Sequence, residues 1–597
     1  MESNAGDRLE AILCEPDEIA LKTFFLGPKA ENAPLVNDLL GEIFKDWFSW
    51  RQELYPSDGA AITEEDKKVE AFAVREQQFR ARVAEILHRF RAEIPTFTPR
   101  YIGHMVTEIS LPALMGHIIS LLHNPNNITG EASRVGVQLE DEAIQDLAKM
   151  MGYEPLEAQG HFTSGGTVAN FEGMLRARSR MARWLALGAL AKTQGEDISL
   201  FEAAHMGWPR YELLYKKLGV SEDMLKPYHL LRTNPFDVAR KLKGIFGQDY
   251  DGAVLLVPNN KHYSWEKAVR LIGLGDDAFW PVELDARGKL DANDLHKKIM
   301  RARGAGRPVL MVVSVAGTTE MGDFDPIDEV ADMLGSLAEH EGLHLWHHVD
   351  AAYGGFFCAL DTDNFPELST AMKKALKAIG RSQSLTVDPH KLGFVPYASG
   401  AFLCASTREY RAHHIQAPYL DLSRKEDKGP QTIEGSRSAA GAVSTWLTSK
   451  IIGLDGQGYG RILSRSIRSR IRVQELLKEA DVRYRMAPHG ETNILCFCHA
   501  RDYEPVSVTN RRTQRIYEHF STRENRDFFV SRTTLTFSAY RKYLDSFLKE
   551  WHGQADEQGL TLIRITVLNP FFSSRETGVD YAAEFVQAVQ AVLEEEA

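Results

Sequence analysis

Between about residues 150 and 405, short apolar runs alternate with helical segments, and this alternation limits the possible folds more than any other feature of the chain. Four runs carry it: Ala253 to Val257, Val309 to Val315, Leu343 to Val349 and Ser384 to Val387. Apolar strands separated by helix-length stretches predict an α/β layer with a mostly parallel sheet. On the N-terminal side, Leu35, Leu39, Leu40, Ile43, Phe44 and Trp47 recur at helical spacing and predict an amphipathic helix from Pro34 to Leu54, with further helices up to about residue 113. Its apolar face could cap its own chain or bury against a second subunit. Beyond about residue 455, a helical stretch from Arg461 to Leu477 precedes apolar runs at Asn493 to Phe497 and Leu562 to Leu568, the pattern of a smaller α+β domain. A chain of 597 residues exceeds one hydrophobic core. Three units are therefore expected, at 1–113, 114–455 and 456–597, and Ser423 to Lys428 reads as a charged loop.

Composition removes several functional classes. A formal net charge of −12 disfavours a nucleic-acid surface, which needs clustered Lys and Arg. The five cysteines, Cys14, Cys358, Cys404, Cys496 and Cys498, lack the paired spacings of a zinc site or a disulfide framework. Cys496 and Cys498 read as small apolar residues of a buried strand, so no metal is expected. The acidic N-terminus lacks signal-peptide order, and no run of eighteen apolar residues occurs. A cytoplasmic protein that neither spans nor binds a membrane is expected.

Ligands of open α/β sheets bind beyond the carboxyl ends of the strands, so the residues there are the ones to read for chemistry. The first run leads into Asn259-Asn260-Lys261-His262-Tyr263-Ser264 and the second into Gly317-Thr318-Thr319-Glu320. The third ends in His348-Val349-Asp350, and the fourth enters Asp388-Pro389-His390-Lys391. A fifth piece, Thr163-Ser164-Gly165-Gly166-Thr167, precedes a helical run from Val168 to Arg180. Its glycines and the open N–H groups of a helix start favour an anion such as phosphate. A tight turn with Thr167 as N-cap reads the same residues equally well. The Gly-x-Gly-x-x-Gly dinucleotide pattern is absent from this turn.

His348-Val349-Asp350-Ala351-Ala352-Tyr353-Gly354-Gly355, with Lys391 in Asp-Pro-His-Lys and the Thr-Ser-Gly-Gly-Thr turn upstream, resembles the group II pyridoxal-phosphate (PLP) decarboxylases over most of the chain. Within that family Phe25 to Asn32, Trp50-Arg51-Gln52, Arg100 to Met105 and Asp388 to Gly393 look most like the bacterial tyrosine decarboxylases. The resemblance implies a fold type I PLP-dependent transferase-like architecture, PLP as cofactor, and a homodimer with its active site at the subunit interface. It implies that Lys391 anchors the cofactor covalently, that Asp350 faces the pyridine nitrogen, and that His262 stacks on the ring. Thr319 and Ala352 match positions near the ring's O3′ edge and opposite face. Gly165, Gly166 and Thr167 match the phosphate turn, with His390 beside the lysine.

Asp388 departs from the many relatives that carry Asn there, and a carboxylate would repel a phosphate, so it could instead accept from backbone N–H groups. Ser436 is a second phosphate contact by resemblance, supplied in trans, although a surface Ser-Arg turn fits the same residues. Tyr419 matches the tyrosine that returns a proton to the substrate carbon once CO2 has left, or else packs under a loop. Tyr101, Ile102, His104 and Thr566 match the substrate pocket. The reaction implied is decarboxylation of an L-amino acid, with tyrosine ahead of dihydroxyphenylalanine. Aspartate or glutamate remains an alternative, for which Arg564 would supply the cation. Aldehyde synthase or transaminase chemistry, and a cofactor-free binding protein, are the rivals from other classes.

Overall fold

The computed structural model describes residues 21–413, 427–521 and 527–594. Its large sheet is built from β1 (Gln159–Thr163), β2 (Val254–Pro258), β3 (Phe279–Val282), β4 (Val309–Val315), β5 (His347–Asp350), β6 (Ser384–Val387) and β7 (Gly400–Cys404). The spatial order is β1-β7-β6-β5-β4-β2-β3. Strands β3, β2, β4, β5 and β6 pair in parallel, and β7 runs against both of its neighbours, β6 and β1. Every residue of β1, β2 and β4–β7 is buried, as expected of strands covered on both faces, whereas the edge strand β3 is partly open. The fold type I, mostly parallel α/β arrangement expected from the sequence is thus present.

One strand is shorter than the sequence predicts. Leu343, Leu345 and Trp346 are buried, but the ladder starts only at His347, because Leu343 N–H bonds back to Leu337 O and His344 N–H to His205 O. Burial alone gave these residues a strand-like pattern.

Helix Gly166–Thr193 lies along one face of the sheet and is buried nearly all round, including the polar side chains of Asn170, Glu172, Arg176 and Arg180. A second sheet, ordered β10-β11-β9-β8, is fully antiparallel and consists of β8 (Tyr484–Met486), β9 (Ile494–His499), β10 (Ser531–Thr536) and β11 (Gly559–Thr566). Val473, Phe520 and Phe585, from helices Tyr459–Ala480, Val506–Ser521 and Tyr581–Glu594, close one of its faces.

Helix Leu111–His123 crosses the boundary expected at residue 113 and packs on Ala440–Ile451; a Cβ at Gly116 would stand 2.8 Å from Ser444 Cα. Helices Ala33–Glu53 and Glu70–Phe90, in contrast, bury no residue, and Phe44, Phe48, Trp50, Phe79 and Phe90 are exposed. No helix among the described residues is long and apolar enough to cross a membrane. Cys496 and Cys498 are buried free thiols, and burial pushes the Cys496 thiol up to about 12; Cys14 lies outside the described residues.

Candidate active site

The carboxyl ends of β1, β2, β4, β5 and β6 open into one crevice of about 380 Å3. Gly165, Gly166, Thr167, His262, Thr319, Asp350, Ala352, Asp388, His390 and Lys391 all border it. Residues singled out from five separate stretches of sequence therefore share one cavity.

Each wall has a local cause. At the end of β1 the chain turns at Gly165 directly into the long helix, and no side chain caps the first N–H groups. Those donors and the positive end of the helix dipole face an incoming anion. A Cβ at Gly166 would stand 2.8 Å from Asp388 Oδ2 and 3.1 Å from the Ala352 Cβ, so the floor of the crevice requires glycine there. After β4, Gly317 takes φ +88° where a Cβ would meet Gly354 N at 2.8 Å, and this turn delivers Thr319 to the rim.

Asp350 ends β5 and is 4% exposed. Its Oδ2 accepts from Asn170 Nδ2 at 2.9 Å and from Trp265 Nε1 at 3.0 Å. His262 follows β2; burial lowers its pKa, against the opposing pull of Asp350, so its imidazole is neutral near pH 7. Its Nδ1 accepts from Ser264 N–H at 3.3 Å, which places the ring proton on Nε2. Lys391 Nζ lies 3.0 Å from Asp388 Oδ2. Asp388 Oδ1 is buried and has no hydrogen-bond partner. Asp388 thus pairs with the lysine, and its oxygens are not held by backbone N–H groups as the sequence suggested. His390 stacks at 4.1 Å on Tyr397, and burial lowers its pKa.

Other expected site residues lie elsewhere in the single chain. Ile102 is fully buried in the core of the second sheet, because its N–H bonds Phe529 O while its carbonyl accepts from Thr566 N–H. Thr566 is 1% exposed within that same ladder. Tyr101 is buried beside Phe529, and His104 is exposed near Arg564. None of these four borders the crevice. The Ser436 hydroxyl accepts from Asn126 Nδ2 at 3.1 Å and also lies off the crevice. Tyr419 falls outside the described residues.

Tyr263, Tyr353, Tyr397 and Asn170 border the crevice although the sequence reading did not select them. Asn170 could have been found, since it lies one helical turn past Gly166 and so shares its face. Tyr397 sits in a loop with no periodic signal.

Residues 247–499 match the family described as the pyridoxal-dependent decarboxylase conserved domain. An L-tyrosine decarboxylase of Levilactobacillus brevis is 29% identical, over 97% of both chains. The chain carries a pyridoxal-dependent decarboxylase domain. Further relatives of this decarboxylase include an aspartate 1-decarboxylase of Aliivibrio fischeri, 26% identical over 75% of this chain and 74% of that one. Among solved structures, apo mouse CSAD superposes with a TM-score of 0.60 at 19% identity, covering 94% of this chain and 99% of that one. Oryza sativa TDC with PLP and tryptamine gives 0.60 at 15% identity, covering 95% and 98%; both structures bear on the fold alone.

The decarboxylase takes PLP as its cofactor and is a carboxy-lyase acting on an amino acid. Its crevice fits that group chemically. An uncapped helix start suits a phosphate, a primary amine suits an aldehyde, and a buried carboxylate suits a pyridinium nitrogen. The one discordant oxygen is the unpartnered Oδ1 of Asp388, whose partner atom Oδ2 is already engaged by Lys391.

Proposed function

We propose that this decarboxylase converts L-tyrosine to tyramine and CO2. The carrying observation is the near end-to-end similarity, at 27–29% identity over 97% of this chain, to L-tyrosine decarboxylases of three bacteria. Tyr263 and Tyr397, 57% and 62% exposed at the crevice, supply aromatic surface where an aromatic side chain would enter.

In this reading Lys391 binds the cofactor covalently and Asp350 holds its ring nitrogen. The open N–H groups from Gly165 to Thr167 take the phosphate, and His262, neutral with its proton on Nε2, lies against the ring. When bound, PLP supplies an electron sink for the pair left by the departing carboxylate. Asp388 Oδ2, 3.0 Å away, fixes the place of the Lys391 Nζ in the crevice. Tyr419 returns a proton to the substrate carbon, and Ser436 of a second subunit reaches the phosphate. A second copy of the chain would cover the apolar residues of helices Ala33–Glu53 and Glu70–Phe90 that stand exposed, such as Phe48, Phe79 and Phe90.

One observation favours an acidic substrate instead. Arg564 is 5% exposed, and its guanidinium donates to three neutral acceptors, Glu320 O, Gly103 O and Ser531 Oγ, with no carboxylate among these partners. Arg564 stands off the crevice and its charge already acts on the buried Glu320 carboxyl, so an acidic side chain would have to extend beyond the crevice to reach it. Mass spectrometry of products from tyrosine, dihydroxyphenylalanine, aspartate and glutamate decides between the readings. Tyramine is expected. Only β-alanine or γ-aminobutyrate would transfer the assignment to the acidic reading, a keto acid would replace decarboxylation by amino transfer, and an aldehyde would mean that loss of CO2 is followed by oxidative loss of nitrogen.

The Gly166 floor yields a separate prediction. Overpacking costs about 1–3 kcal/mol, so Gly166→Ala should weaken cofactor binding by about 5- to 150-fold, read by absorbance titration of the apoprotein.

A further inference from the structure

Asp350 is the last member of a hydrogen-bonded chain that begins at the opposite end of β5. Trp346 Nε1 donates to Ser384 Oγ at 2.8 Å, and Ser384 Oγ lies 2.7 Å from His348 Nδ1. His348 Nε2 lies 3.3 Å from Asn170 Oδ1, and Asn170 Nδ2 donates to Asp350 Oδ2 at 2.9 Å. Trp346, Ser384, His348 and Asn170 are each at most 1% exposed, so bulk water competes at none of these links.

Elementary hydrogen-bond rules give the chain a direction. An indole N–H can only donate, so Trp346 occupies one of the two lone pairs of Ser384 Oγ; the Asp350 carboxylate can only accept, so Asn170 turns its NH2 toward Oδ2 and its oxygen toward His348 Nε2. Burial pushes the His348 imidazole down to about 4, against the opposing charge of Asp350, so near pH 7 it is neutral and carries one proton. With Nε2 facing that amide oxygen, Nδ1 accepts from the Ser384 hydroxyl and the ring proton is on Nε2. It points at Asn170 Oδ1, with Thr386 Oγ1 also 3.3 Å away. The Asn170 amide is thereby oriented, its oxygen toward His348 and its NH2 toward Asp350 Oδ2 and Ser264 Oγ. Trp265 Nε1 adds a second donor to the same carboxylate oxygen. Asp350 Oδ1, approached by the Ala352 N–H at a long 3.4 Å, keeps accepting capacity on the crevice side.

We propose that His348 and Asn170 are positioning residues for the decarboxylation: the one-way donor chain Trp346–Ser384–His348–Asn170 locks the rotation of the Asp350 carboxylate so that Oδ2 is occupied and Oδ1 is presented to the cofactor. The inference rests on the reading that Asp350 partners the cofactor's ring nitrogen. His348 does not border the crevice; Asn170 does, and in this scheme both act through Asp350. Loss of the chain would let the carboxylate turn, and the ring nitrogen would meet it in a mixture of orientations.

The first test is 15N NMR of the histidine-labelled holoenzyme, with the His348 signal assigned by its loss in His348→Gln. An Nε2–H tautomer supports the proposal and an Nδ1–H tautomer overturns it, whatever any other variant does. The second test compares kcat, KM and the pH dependence of bound-cofactor absorbance in His348→Phe, Asn170→Leu and His348→Gln, with Asp350→Asn as reference. By analogy with outer-shell partners of metal ligands, His348→Phe and Asn170→Leu should lower kcat about 10- to 100-fold. KM should stay within about threefold, because an interaction felt at the reacting centre is lost and not one with the substrate. Both should move the absorbance profile in the direction that Asp350→Asn moves it. His348→Gln, whose amide can still accept from Ser384 and donate to Asn170, should recover most of the loss. Unchanged kcat and absorbance in His348→Phe and Asn170→Leu, beside an impaired Asp350→Asn, would sink the positioning role and leave Asp350 standing. An unimpaired Asp350→Asn would remove the reading of Asp350 itself, and the positioning role with it.

Discussion

Lys391→Ala should retain the fold, lose the absorbance of lysine-bound cofactor, and lose turnover by at least about a thousandfold, the scale seen when one member of a covalent catalytic unit is removed. Its Nζ is held 3.0 Å from Asp388 Oδ2 at the end of the β6 turn, in the same crevice as Asp350 and the uncapped helix start. Its loss leaves the 3%-exposed Asp388 carboxylate without its cation, so the apoprotein should also melt at a lower temperature, and turnover is read on protein verified as folded. Turnover within about tenfold of the unaltered enzyme would be incompatible with a covalent role for this amine.

Arg437→Met should give the largest loss of stability. The Arg437 guanidinium, 4% exposed, donates to both oxygens of Glu140, itself 1% exposed, and to the carbonyls of Phe162 and Asn127. Removing one partner of a buried pair costs about 3–5 kcal/mol, because the other charge is left unpaired. Burial alone would push the Glu140 carboxyl up, yet Arg437, Lys428 and the Phe162 N–H hold it below its ordinary value. A depressed carboxylate contributes stability that is present above its unfolded value of about 4.3 and lost as pH falls through its folded value. The deficit of Arg437→Met should therefore shrink in acid, where a protonated Glu140 no longer needs a cation. Chemical denaturation at pH 7 and pH 4 reads both effects; equal deficits at the two pH values would refute the assignment. Since Glu140 also accepts from Phe162 N–H at 2.8 Å, just before the Thr163–Thr167 turn, cofactor affinity should fall alongside stability.

The sequence exposes the parallel strands β2 and β4 because they are apolar almost throughout, while the short Ser-Leu-Thr-Val of β6 shows through the Asp-Pro-His-Lys that follows it. It hides β1, whose Gln159-Gly160-His161-Phe162-Thr163 reads as polar and flexible. His161 is nonetheless buried, because Glu172 lies 3.1 Å from Nε2 and Tyr410 OH 2.9 Å from Nδ1. Partners that distant in sequence leave no local pattern. The crevice was legible wherever chemistry follows a strand end directly, as at His262, Asp350 and Lys391. It was not legible where loops of the second sheet decide position: Ile102 and Thr566 are tied to each other by a backbone hydrogen bond that no side-chain motif encodes.

The reversal of β7 also bears on when the enzyme can be made whole. β1 carries the phosphate-facing turn, but its partner in the large sheet is β7, residue for residue from Gln159 opposite Cys404 to Thr163 opposite Gly400. A ribosome therefore releases the turn long before the strand that seats it. Parallel strands β2 to β6 can begin to assemble in the interval, while β1 waits through the whole of that synthesis to close its loop. In a nascent chain stopped before Gly400, only the packing of helix Gly166–Thr193 on the sheet would hold the glycine turn near Lys391. On this topology the phosphate-facing turn is fully seated only once β7 has been made, which puts cofactor capture late in folding.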